Sequence, residues 1–184
     1  MRVISGYLKG RNILGYNIKT TRPTMDRVKE SMFASIQNDI DDSTVLDLFC
    51  GSGSLGIEAI SNGAGICYFV DNNKEILSYL NKNINNLNIN DKSIVLNKDY
   101  KDSLLYFKNN SIKFNIILVD APYKLKVMEE IIDLIIKYDL LLDNGLLILE
   151  FSFDKLKDNY SNLKLIKSKK YSDKFVNIYR KIID

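Results

Sequence analysis

The sequence predicts an α/β domain built on a seven-stranded, mostly parallel sheet, with helices on both faces and an antiparallel strand at its C-terminal end. Three observations predict it. From Thr44 onward, short apolar runs alternate with segments of helical period; a glycine-rich turn follows the first of those runs; and the last two strand-like runs have no helical segment between them. Regular alternation implies parallel strands joined by covering helices, with ligands taken at the carboxyl ends of the strands. A direct step from strand to strand implies a hairpin and hence an antiparallel strand.

Each element has its own warrant. Residues 1–19 hold short apolar stretches broken by Ser5-Gly6, Lys9-Gly10 and Gly15, the pattern of a small β-hairpin that carries Arg2, Lys9 and Arg11. Thr24 is placed to cap a helix over 25–37, with Asp26 and Glu30 in its early turns. Strands are expected over 44–49, 66–71, 93–97, 114–120 and 146–151. Helices are expected between them over 54–61, 73–87, 102–109 and 126–136, and a short one over 153–158. Strand-like runs 163–171 and 175–182 complete the sheet. A chain of 184 residues buries one good core and not two, so 1–184 is expected to be a single domain with 1–19 as a basic extension.

The first strand ends in Asp47-Leu48-Phe49-Cys50-Gly51-Ser52-Gly53-Ser54-Leu55-Gly56. Its glycines follow the spacing G-x-G-x-x-G, and Asp71 closes the next apolar run about 20 residues on, as in a nucleotide-binding βαβ unit. Alone the pattern is weak. A dinucleotide would set its pyrophosphate against the helix N-terminus, where Asp47 repels it. S-adenosylmethionine carries an ammonium and a sulfonium and no phosphate, so the same carboxylate attracts it. A tight turn with no ligand is the competing explanation.

Composition narrows the chemistry further. No apolar run approaches the 18 or more residues that cross a bilayer, and the N-terminus has no signal-peptide pattern, so no membrane association and a cytoplasmic location are expected. The chain has no histidine. That removes Ser-His and Cys-His nucleophile pairs and the usual zinc sites. Cys50 and Cys67 lie in apolar strand patterns and suit reduced core residues; no metal is expected. The net charge of +3 conceals an asymmetry: residues 1–30 and 161–184 each carry +5, and the stretch between them carries −7. Basic ends suit a polyanion, and an acidic middle suits a cation.

Strand 114–120 delivers Asp120 to the same edge as Gly51, followed at once by Ala121-Pro122-Tyr123. These residues suit methylation of an exocyclic amine on an aromatic base. The amine's lone pair is delocalised, so its two N–H groups must be held with the nitrogen aimed at the methyl. The Asp120 carboxylate can accept one hydrogen bond, the Ala121 carbonyl another, and Tyr123 can stack on the base. No strong base is needed, because the methylated amine is acidic once charged. A strand that ends in Asp before a proline turn is common, and gains weight only with the glycine loop.

With these residues in view, the chain resembles the RsmD-type methyltransferases, which methylate the N2 amine of a guanine in small-subunit (16S) ribosomal RNA. The resemblance rests on residues 1–6 with Lys9-Gly10-Arg11, on Thr21-Arg22-Pro23-Thr24-Met25-Asp26-Arg27-Val28-Lys29-Glu30, on residues 47–58 and on residues 120–123. The second stretch is the specific one. The resemblance implies a Rossmann-like S-adenosylmethionine methyltransferase sheet. It also implies that Asp47, Gly51 and Gly53 hold the methionine part of the donor, that Asp71 holds the ribose hydroxyls with Asn72 beside it among the donor-binding residues, and that Asp99 holds the adenine amine. Arg2, Lys9, Arg11, Arg22 and Arg27 would contact RNA, joined by Lys164, Lys167, Lys169 and Lys170, with the assembling small subunit as partner and the enzyme a monomer. Two departures stand out: Ala121 replaces the usual first proline of Asp-Pro-Pro-Tyr, and Tyr171-Ser172-Asp173-Lys174 replaces a Tyr-Gly-Asp pattern. Two other readings are a DNA adenine-N6 methyltransferase, against which the lack of a separate target-recognition domain counts, and a noncatalytic RNA-binding assembly factor.

Overall fold

A computed structural model describes residues 1–15, 23–121, 125–152, 156–172 and 174–183. After the N-terminal segment come helix α1 (Pro23–Ser35), strand β1 (Thr44–Leu48), α2 (Ser54–Ser61), β2 (Ile66–Asp71), α3 (Lys74–Leu87), β3 (Ser93–Asn97), α4 (Tyr100–Asn109), β4 (Phe114–Asp120), α5 (Leu125–Lys137), β5 (Leu141–Phe151), β6 (Asn159–Tyr160), β7 (Leu163–Tyr171) and β8 (Lys174–Lys181). One sheet holds all eight strands in the order β3-β2-β1-β4-β5-β8-β7-β6. The pairs from β3 to β5 are parallel, and those from β5 through β8 and β7 to β6 are antiparallel. The order runs outward from β1 to β3 on one side and from β4 to β5 on the other, so the topological switch point, where such sheets take ligands, falls between β1 and β4.

Helices cover both faces, as the alternation predicts. Pleating sends successive strand residues to opposite sides. Val45, Cys67, Phe69, Ile116, Leu118, Ile148 and Val176 pack with α1, α2 and α3. Leu46, Leu48, Val70, Ile117, Val119 and Leu149 pack with α4 and α5 on the other side. Cys50 and Cys67 are buried and unbridged, and burial pushes both thiols well up.

Three expectations need correction. Helix α1 spans Pro23–Ser35, so Thr24 lies within its first turn and not before it; proline suits that first position, where a helix lacks an acceptor for the N–H anyway. Of the short helix expected over 153–158, residues 156–158 are not helical, and 153–155 lie outside the described residues. The backbone there is claimed by the sheet instead: Asn159 and Tyr160 pair with Lys164 and Leu163, and the Leu165 N–H donates to the Asp158 carbonyl at 2.9 Å. This two-residue strand, β6, is an eighth beside the seven expected. Among its described residues the N-terminal hairpin pairs Arg2 with Asn12 in antiparallel fashion, with the Val3 N–H donating to the Arg11 carbonyl and the Ile13 N–H to the Met1 carbonyl. It is no free extension, because Val3, Leu8 and Ile13 are buried in the α1–α3 core.

Buried polar groups fix that segment. Glu58 of α2 is fully buried and accepts hydrogen bonds from the Ile4 and Ser5 N–H groups, the Ser5 hydroxyl and the Lys29 ammonium. Lys29 also donates to the Arg2 carbonyl. Asn83 of α3 brackets Leu14, accepting its N–H and donating to its carbonyl, and donates as well to the Ser52 carbonyl in the glycine turn at 3.0 Å. The basic segment and the glycine turn thus share one rigid support.

Candidate active site

Strands β1, β2, β4 and β5 run parallel, so their carboxyl ends open on one edge. Register fixes what stands there. Val70 and Val119 both lie opposite Leu48, which puts Asp71 and Asp120 at one level, on either side of Phe49. Asp120 pairs directly with Glu150. The pleat places Asp47, Asp71, Asp120 and Glu150 on the α1–α3 face, since Val45, Phe69, Leu118 and Ile148, each two residues before one of them, pack there. Asp47 sits two residues deeper than the others, buried beneath the start of α2.

The glycine turn is held by two of these carboxylates. Asp47 Oδ2 accepts the Gly56 N–H at 2.8 Å, and Asp71 Oδ2 accepts the Gly51 N–H at 3.0 Å. Asp71 Oδ1 accepts the Asn73 N–H, and Asn73 in turn caps α3. Glycine is required at Gly53, whose φ of +90° is left-handed and where a Cβ would lie 2.4 Å from Leu80 Cδ1. At Gly56 a Cβ would lie 2.3 Å from the Phe69 ring and 2.7 Å from Cys67 Sγ, so α2 can approach β2 only without a side chain there. Phe49 has φ of +66°, a strained value for an aromatic residue. It turns the chain out of β1 so that the Cys50 N–H reaches the Val70 carbonyl at 2.9 Å.

The electrostatics of the row are one-sided. Burial pushes the Asp47 carboxyl up to about 7 despite the Gly56 N–H, and the charges of Asp120 and Asp71 add to the rise. Burial, then the charge of Glu150, raises Asp120 to about 6, partly offset by Lys174. A site in which carboxylates raise one another's pKa gains from a bound cation. The backbone turn with no phosphate-binding cation in it and the anionic row suit a cationic ligand better than a dinucleotide's pyrophosphate.

Other anticipated residues are placed less directly. Asn72 is exposed just past β2. Asp99 follows β3 at the same edge and caps α4, its Oδ1 accepting the Lys101 N–H at 2.9 Å; a carboxylate keeps further lone pairs for an adenine amine. Ala121 is buried next to Asp120, while Pro122 and Tyr123 lie outside the described residues. Sequence reasoning missed Glu150 and Lys174, which form an ion pair beside Asp120. Glu150 had a signal, since it ends an apolar strand as Asp47, Asp71 and Asp120 do. Lys174 had none, because β8 comes alongside β5 only through a pairing of strands that are not neighbours in the chain.

The basic residues divide by position. Arg2, Lys9 and Arg27 line one groove between the N-terminal segment and α1, together with Asp26 and Glu30. Arg2 pairs with Asp26 at 3.4 Å. Arg11 lies elsewhere, donating to the Asn86 carbonyl at the end of α3, and Arg22 is outside the described residues. Lys167 and Lys169 of β7 donate to Ser35 and Ser31 of α1. The two basic ends of the chain therefore meet on α1.

Residues 1–180 match the protein family described as conserved hypothetical protein 95. The chain is 34% identical to ribosomal RNA small subunit methyltransferase D of Haemophilus influenzae over 92% of this chain and 88% of that one. It is 30% identical to the protein of the same name from Escherichia coli over 82% and 74%. Among solved structures, the yhhF protein of Escherichia coli superposes with a TM-score of 0.88 at 28% identity, covering 100% of this chain and 99% of that one. The HI0767 protein of Haemophilus influenzae gives 0.82 at 28% identity, covering 99% and 98%.

Proposed function

Because the chain belongs to the conserved hypothetical protein 95 family, that of the RsmD-type ribosomal RNA methyltransferases, we propose that it transfers a methyl group from S-adenosylmethionine to the N2 amine of a guanine in small-subunit ribosomal RNA. The observation that carries this reading is the carboxylate row across the switch point. Asp47 and Asp71 brace the glycine turn on one side of it, and Asp120 stands on the other.

S-adenosylmethionine supplies an electrophilic methyl group on its sulfonium. The chain's own residues bind, aim and deprotonate. Asp47, Gly51 and Gly53 take the methionine end, Asp71 and Asn72 the ribose side, and Asp99 the adenine. Asp120 accepts one N–H of the target amine and the Ala121 carbonyl accepts the other, which fixes the nitrogen's direction. Tyr123 stacks on the base, turned out of its helix to reach the edge. Positioning of this kind contributes about 7 to 11 kcal/mol, so orientation outweighs acid–base catalysis here. With its carboxyl raised to about 6, Asp120 is ionised at neutral pH and still basic enough to take the proton that the methylated amine sheds.

RNA enters over the face where α1 meets the N-terminal segment and β7, with Arg2, Lys9 and Arg27 on one side and Lys167 and Lys169 on the other. Arg11, Arg22, Lys164 and Lys170 are proposed as further phosphate contacts. The partner is the assembling small subunit, and the enzyme works as a cytoplasmic monomer. No helix among the described residues is long and apolar enough to cross a membrane. The test is incubation with radiolabelled donor and undermethylated small subunits, followed by nucleoside analysis. Label in N2-methylguanosine is expected; label in N6-methyladenosine, or none at all, refutes the reading.

A further inference from the structure

We infer that Glu150 and Lys174 set the base specificity, by forming with Asp120 an acceptor–acceptor–donor array that matches the edge of guanine. This rests on the guanine-N2 reading above and adds the groups that select the base.

Three placements support it. Asp120 and Glu150 are register partners on adjacent strands, with side chains on the same sheet face. The Lys174 ammonium contacts Glu150 Oε1, which sets a donor directly beside the second acceptor. Strand order β4-β5-β8 carries these residues in the sequence carboxylate, carboxylate, ammonium. The Watson–Crick edge of guanine reads N2–H donor, N1–H donor, O6 acceptor. If N2 faces Asp120, as transfer to that nitrogen requires, N1–H faces Glu150 and O6 faces Lys174. Every group is matched.

Adenine is rejected by the same array. With its N6 amine at Asp120, its N1 lone pair meets the Glu150 carboxylate, and the base offers no O6 to the ammonium that Lys174 holds beside Glu150. A site built to hydrogen-bond a substrate discriminates strongly because the wrong substrate leaves its buried polar groups unmatched. Glu150 is only 8% exposed, so an unmatched contact there is not readily relieved by water.

The experiment uses small-subunit RNA carrying guanine, 2-aminopurine or 2,6-diaminopurine at the methylated position, with single-turnover rates read at saturating RNA. Both analogues keep the N2 amine; both present a bare N1 acceptor and lack O6. The wild-type enzyme is expected to prefer guanine by at least about a hundredfold. Equal rates on guanine and 2-aminopurine overturn the inference while leaving N2 methylation intact, whereas no transfer to guanine overturns both. Glu150→Gln offers an amide N–H to a bare N1, so the preference should shrink at least about tenfold, through a slower guanine rate and a faster analogue rate. Lys174→Met should slow guanine and leave 2-aminopurine, which has no O6, unchanged. An unchanged preference in folded Glu150→Gln overturns the inference, as does equal slowing of all three bases.

Discussion

Asp47 is the residue whose charge state depends most on what binds near it. Its carboxyl, raised to about 7 chiefly by burial, favours the neutral form in the absence of a cation. Because its folded pKa exceeds its unfolded value, Asp47 contributes stability that is fully present below about pH 4 and is lost as pH rises through about 7. A cationic donor reverses the preference by favouring the ionised form. Donor affinity measured by calorimetry should therefore rise between pH 5.5 and 7.5 and level off above, with Asp120, raised to about 6, acting in the same direction. Affinity that is flat across this range would show that Asp47 and Asp120 do not sense the donor. Asp120→Ala should abolish transfer by a factor of at least about 100, while donor and RNA binding persist; a noncatalytic assembly factor would show no transfer even before mutation. Ala121→Pro should leave turnover near wild type, because a residue before proline already favours extended geometry. A hundredfold loss with the fold intact would give Ala121 a role beyond its carbonyl.

At the scale of elements, α2 connects the donor turn to the N-terminal segment through two devices two residues apart, at Gly56 and Glu58. Its start lies close on β2 only because position 56 lacks a side chain. Gly56→Ala should cost about 1 to 3 kcal/mol by overpacking against Phe69 and Cys67, read in denaturant unfolding, despite alanine's better helix propensity. The other device is the Lys29–Glu58 pair, at 3.2 Å and almost wholly buried. Lys29→Met leaves the Glu58 charge held by the Ile4 and Ser5 amides and the Ser5 hydroxyl, without a countercharge, and should cost about 3 kcal/mol. Wild-type stability in that variant would mean that the amides and the hydroxyl suffice. The central elements were legible because each has one strong local signal: apolar β-branched runs for β1, β2, β3 and β4, and amphipathic period for α3 and α5. The stretch around Leu156 is not helical because its neighbours bond elsewhere, the Lys157 N–H and carbonyl with the Tyr160 and Tyr179 hydroxyls and the Asp158 carbonyl with the Leu165 N–H, which no local pattern reveals. Glu150 carries a local signal as an acid at the end of an apolar run, but its place opposite Asp120 comes from register, which is not written within one strand.

At the scale of the whole molecule, the charge asymmetry becomes a surface. The sequence puts +5 at each end; folding brings Arg2, Lys9 and Arg27 to one side of α1 and Lys167 and Lys169 to the other. Affinity for RNA should fall linearly on a log–log plot against salt, and each Ala substitution at Arg2, Lys9 or Arg27 should lower the slope by about 1. A salt-independent affinity would remove these residues from the RNA face. The alternation of strand and helix, the glycine turn and the carboxylates closing apolar strands were all readable along the chain, because hydrophobic period and turn chemistry are local properties. Folding alone settled which carboxylates share a level, that Asp47 lies beneath α2, and that Lys174 meets Glu150. Those relations arise from strand order and register, which depend on contacts between residues far apart in the chain.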